Sequence, residues 1–198
     1  MKKGEPEVSI EKGGDLFNIA RVFENAEIAI KEGDWMKLKD LSNQTLHSAT
    51  VHQDPLNIMT AVLVYSLSKI FQRKHYREME GWQEFNDKLI KNWEEAILAL
   101  TMDDGEKAIA ILGKIRQSLN EISGNLALYL KDIFRKAEIN KAFKLYENGL
   151  TAESTADLFG VSLWDLSSYI GQSSISEAHV AQSLPEAERI KYAEDFFK

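Results

Sequence analysis

The stretch Asp54–Phe71, DPLNIMTAVLVYSLSKIF, is the most apolar in the chain, and its reading decides the fold. Asp54 can accept hydrogen bonds from the free N–H groups at a helix start, and Pro55 suits the first helical position, where a missing N–H costs nothing. Ile58, Val62, Tyr65 and Phe71 lie off the stripe formed by Met59, Leu63, Leu67 and Ile70, so apolar surface covers most of the circumference. A helix that is apolar nearly all round is a buried one. A membrane span needs roughly 20 apolar residues. Ile58–Phe71 is only 14 residues long, includes Lys69 and runs straight into Gln72-Arg73-Lys74. The stretch is therefore expected at the centre of a helical bundle, with the flanking segments packed around it.

Upstream, Asp15 is expected to open a helix carrying Leu16, Ile19, Ala20, Phe23, Ala26 and Ile30 at three-and-four spacing, with Gly33 as its stop. Asp34 then starts a second helix with Trp35, Leu38, Leu41, Thr45, Leu46 and Ala49 toward Val51, making an antiparallel pair. Downstream, Trp82, Phe85, Leu89, Trp93, Ala96, Ile97 and Leu100 form one stripe. Ile109, Leu112, Ile115, Leu119 and Ile122 form another, after a turn in which Asp103 and Glu106 stand at capping-box separation. Gly124 either kinks or breaks the next element before Leu126, Leu130, Ile133 and Phe134. With no convincing alternating strand, the expected fold class is all-α: a multi-helix bundle followed by a small C-terminal helix-turn-helix-like module. The expected division is a mobile tail over 1–14, the bundle over 15–135, and the module with a C-terminal helix over 136–198.

Composition narrows the function classes. The 198 residues carry 24 basic and 31 acidic side chains, a formal net charge of −7, so general attraction to nucleic acid or anionic lipid is not expected. The chain has no cysteine, which removes disulfides, thiolate metal sites and cysteine nucleophiles and fits a cytoplasmic setting. Met1-Lys2-Lys3 is followed by Gly4-Glu5-Pro6-Glu7 rather than an apolar run, so it does not read as a signal peptide.

From Lys141 the texture changes: KAFKLYENGLTAESTADLFGVSLWDLSSYIGQSSISEA. Gly149 ends one helix, Thr151 can cap a second, Gly160 occupies a tight turn and Ser162 can cap a third running to Ile170. Ala156 falls where two helices approach closely, while Leu158, Val161, Leu166 and Ile170 supply a small core. That register is the spacing of a helix-turn-helix. Leu163, Trp164, Ser167 and Ser168 are then presented at the start of the third helix, and none is cationic. Between Arg135 and Gln172 four basic residues face five acidic ones, the reverse of a phosphate-binding surface. Leu163-Trp164 suits a protein contact, since aromatic anchors dominate such interfaces, and packing onto the bundle is the alternative.

The run GLTAESTADLFGVSLWDLSSYIG, with Ser176-Glu177 and LPEAERIKYAEDFF after it, resembles the helix-turn-helix antitoxin-like proteins encoded beside PIN-domain nuclease toxins. The matching positions are Ala156, Leu158, Gly160, Val161, Ser162, Trp164 and Leu166, plus the terminal helix around Arg189, about a third of the chain. The resemblance implies a PIN-domain toxin as protein partner, with the C-terminal tail in contact with it. In that tail Pro185 suits a first helical position, and Ile190, Ala193, Phe196 and Phe197 make an apolar face that either docks on the bundle or anchors a partner.

His47 and His52 are the nearest approach to a metal or acid–base cluster. On one continuous helix they stand about 140° apart, and Gln53 and Asp54 complete a site only if the helix ends between them. The paired N-terminal helices also resemble bundles associated with nucleotidyltransferases, some of which are RNases with Arg four to six residues before His. Arg21, Arg73 and Arg116 lack that partner histidine. Arg73, Lys74, His75 and Arg77 form a small basic cluster that suits a solvated helix end better than an RNA site.

The expected function is a non-enzymatic, antitoxin-like regulatory protein without a cofactor, binding a protein partner through Leu163, Trp164, Ser167, Ser168, Arg189, Phe196 and Phe197. DNA stays open as an alternative partner, as does a homodimer. An RNA-binding or hydrolytic bundle using His47/His52 is the remaining alternative.

Overall fold

The structure, a computed structural model, describes residues 12–52, 54–122 and 124–178. Among them are eight α-helices and one 3-10 turn, and no strand. The helices are α1 (Lys12–Glu32), α2 (Trp35–His52), α3 (Pro55–Gln72), α4 (Trp82–Thr101), α5 (Gly105–Ser118), α6 (Gly124–Glu147), α7 (Ala152–Phe159) and α8 (Leu163–Ala178). The 3-10 turn, Lys74–Glu78, joins α3 to α4.

The apolar stretch is α3, and it is the centre of the bundle. Asp54 caps it, accepting from the Asn57 backbone N–H at 3.1 Å, with Pro55 as the first helical residue. Buried residues occupy 13 of its 18 positions, which is what an apolar surface on nearly every side requires. It packs against α1, α2, α5, α6 and the 3-10 turn. The α2–α3 pair is held close by a buried polar tie: the Ser42 hydroxyl donates to the Ala61 carbonyl at 2.6 Å. Within α3 the Ser66 hydroxyl donates to the Val62 carbonyl, so that buried polar side chain stays satisfied.

Around α3 the amphipathic helices bury the stripes read from sequence. Phe23 on α1 and Phe85 on α4 are fully buried, and Phe23 lies 4.4 Å from the Trp93 ring. Each such side chain contributes roughly 1.5–3 kcal/mol of transfer free energy. Trp35 stacks on Phe71, which meets Trp82 edge-on, so one aromatic chain joins α2, α3 and α4. The basic cluster lies beside aromatic rings: Arg73 approaches Tyr76 at 5.8 Å and Arg77 approaches Phe71 at 6.0 Å.

Element ends follow local chemistry with small shifts from the sequence reading. α1 begins at Lys12, ahead of Asp15. In the α4–α5 turn the cap is Asp104, which accepts from the Lys107 N–H at 3.0 Å; Asp103, expected in that role, takes a left-handed conformation (φ 62°) that ends α4. Gly124 does not kink a continuous helix: α5 has ended at Ser118, and Gly124, at φ 76°, opens α6. Residues 135 and 136, where the bundle was expected to give way to the module, lie inside α6. This helix packs on α2 and α3 and also on α7 and α8.

Candidate functional site

The C-terminal unit is built on α6. Gly149 (φ 103°) follows α6, and Thr151 caps α7 by accepting from the Ser154 N–H at 3.2 Å. Gly160 (φ 63°) ends α7 in the left-handed conformation that a side chain resists, and its N–H closes the turn onto Asp157. Ala156, Phe159 and Leu166 are buried between α6, α7 and α8, while Leu158, Val161 and Ile170 pack at the edge. Phe159 is thus a core residue that the sequence reading passed over. α8 runs two turns past Ile170, to Ala178.

The start of α8 is pinned twice. The Ser162 hydroxyl accepts from the Asp165 N–H at 3.0 Å and donates to the Asp165 carboxylate at 2.8 Å. Arg135 on α6 donates to both oxygens of the same carboxylate at 3.0 Å. The Ser162 hydrogen bond first, and the guanidinium second, hold the Asp165 carboxyl below its ordinary range. Further along, Asn140 donates to the Tyr169 hydroxyl at 3.0 Å, and Phe143 meets the Tyr169 ring edge-on.

On this pinned turn Trp164 is 80% exposed and Leu163 is 43% exposed. Ser167 is also exposed and Ser168 is half-buried. The indole therefore does not pack onto the bundle, the alternative weighed for it above. Arg189, Phe196 and Phe197 lie outside the described residues.

His47 is exposed on α2, and α2 continues without a break through His52, so the helix end needed to bring Gln53 and Asp54 into a site between them does not occur. Among the described residues no three His, Asp or Glu side chains come together in a metal-binding group.

Two polar groups on α6 escaped the sequence reading. The Lys141 ammonium is fully buried, donates to the Asn43 side-chain carbonyl at 2.9 Å and sits 4.3 Å from the Tyr65 ring centroid. Burial first, then the charges of Lys144, Lys39 and Lys69, lower its pKa to about 7. Glu138 is buried one turn earlier, with Arg116 of α5 at 2.8 Å. Burial raises its carboxyl pKa, and Arg116 opposes the rise. The legible signal was spacing: Phe134, Glu138, Lys141 and Leu145 form one three-and-four stripe, and such a stripe faces inward.

No family model, curated protein or solved structure matches this chain. Among the described residues no helix is long and apolar enough to cross a membrane.

Proposed function

We propose that this chain is a non-enzymatic regulatory protein that acts by binding a protein partner through the α7–α8 unit, a helix-turn-helix-like module of the antitoxin kind. The observation that supports the reading is Trp164. A large apolar side chain stands 80% exposed, beside Leu163, on a helix start hydrogen-bonded through Ser162, Asp165 and Arg135. An exposed aromatic on an ordered helix start is the residue type that dominates protein interfaces. Leu163, Trp164 and Ser167 offer no positive charge to a phosphate backbone. On the sequence resemblance, a PIN-domain nuclease is the first partner to try, with Arg189, Phe196 and Phe197 as further contacts.

The test is capture by the tagged full chain from native lysate, with and without added nuclease, alongside the Trp164→Ala and Trp164→Ala/Phe196→Ala variants. A protein that survives nuclease and is lost with the variants supports the reading. Recovery of nucleic acid, with proteins lost on digestion, or capture unchanged in the double variant, overturns it.

A further inference from the structure

Among the described residues, the seam between α3, α5 and α6 on one side and the α7–α8 unit on the other is open. Its inner lobe is an apolar cavity of about 360 Å³ whose walls include Met59, Val62, Leu112, Ile115, Leu158 and Phe159. That size and character are those of a small-molecule site: apolar walls with few polar groups. The lobe continues into an outer one that shares Arg116, Phe134, Glu138 and Gly160 with it and adds Lys131 and Arg135.

Charge in the outer lobe is one-sided once the existing pairs are taken into account, and Asp157, the remaining carboxylate of the seam, lines the inner lobe only. Glu138 is met by Arg116 at 2.8 Å and Asp165 by Arg135 at 3.0 Å. Each guanidinium has five N–H donors, so both retain donors after these contacts. Lys131 makes no ion pair with any described residue. Both carboxylates of the outer lobe are thus matched, and what that lobe offers a newcomer is cationic hydrogen-bond donors. Asn120 and Ser162 add neutral polar groups along the same lobe.

We infer that this seam binds a free amphipathic carboxylate, a small molecule whose hydrocarbon or aromatic tail fills the inner lobe while its head group lies among Arg116, Lys131 and Arg135. A carboxylate suits guanidinium donors because two parallel N–H···O bonds can form. The ligand would touch α5, α6 and the end of α7 at once, so it belongs to the full chain and to neither half alone. This inference is independent of the identity of the partner at Trp164.

The experiment is calorimetric titration of the full chain with three probes sharing one tail: decanoate below its micelle concentration, decyltrimethylammonium and decanol. Decanoate is expected to bind saturably and about tenfold or more tighter than the other two, the discrimination of one charge-assisted contact. Arg116→Gln and, on the exposed rim, Lys131→Ala should each weaken decanoate by about tenfold. Met59→Trp and Leu158→Trp, which add bulk to the inner lobe, should abolish binding, with circular dichroism confirming that at least one remains folded. Equal or tighter binding of the cation would overturn the inference by making Asp157 or Glu138 the group that selects the ligand. Decanoate affinity unchanged in a folded lobe-filling variant would also overturn it, as would the absence of saturable decanoate binding.

Discussion

Arg135 and Asp165 are separated by 30 positions in sequence, yet the guanidinium of one lies 3.0 Å from both carboxylate oxygens of the other. Asp165 also accepts from the hydroxyl of Ser162, the residue that caps its own helix. The first turn of α8 is therefore oriented by its own cap and by a neighbouring helix together. Because the folded carboxyl sits below its ordinary range, the unfolded chain takes the proton first as acid is added. The contribution is complete above about pH 4 and is lost as pH falls through the depressed value. NMR shifts of the α8 first-turn amides should titrate below about pH 4, and Asp165→Asn should speed their hydrogen exchange several-fold. A midpoint at or above the ordinary carboxylate value would show that these bonds are not held in solution.

Lys141 shares the direction of that pH dependence for the opposite reason, since here folding penalises the charged form. Its pKa in the folded chain is about 7, whereas the unfolded chain holds the same proton to about pH 10.4. Between those values the unfolded state binds more protons, so stability rises with pH through this window, and below pH 7 the full penalty of a buried ammonium is present. Urea midpoints measured between pH 6 and about pH 9.5, before tyrosine ionisation enters, should climb in the native chain. They should be flat in Lys141→Met. That variant should also be more stable at neutral pH, by about 1–4 kcal/mol, as when other buried charges are replaced by apolar side chains.

Gly160 and Gly171 should respond in opposite directions to the same substitution. Neither has an atom within 4 Å of an added Cβ, so backbone conformation alone decides. Gly160→Ala places a side chain at φ 63° and should cost about 1–2 kcal/mol in thermal or urea unfolding. Gly171 lies within α8, where alanine is the better helix former, and Gly171→Ala should stabilise that helix by about 0.5–1 kcal/mol.

Trp164→Ala should leave the unfolding midpoint within about 0.5 kcal/mol of the native value, because so exposed a ring contributes little to the core. A loss several times larger would mean that the indole is buried in solution, against the exposed position described above.

The parts of the fold legible from sequence were those written in local chemistry. Asp54-Pro55, Gly33-Asp34, Thr151 and Ser162 mark helix ends because a cap satisfies donors only three or four residues away. Where two adjacent residues can do the same job the reading slipped by one, as at Asp103 and Asp104. The site was less legible because it depends on pairs far apart in the chain: Arg135 with Asp165, Arg116 with Glu138, and Lys141 with Asn43, 98 residues earlier. Their charges also disguised Glu138 and Lys141, since a polar residue on an apolar stripe is easily assigned to the surface until its partner is seen.

The continuity of α6 bears on how this protein can be dissected. A cut at residue 135 would leave one fragment with a frayed stub and the other without the first half of the helix on which α7 and α8 rest. It would also part Lys141 from Asn43 and Glu138 from Arg116, leaving severed buried groups on freshly exposed faces. The C-terminal unit is therefore not a portable cassette. A graft would have to carry α6 whole and supply a new neighbour for each of those groups.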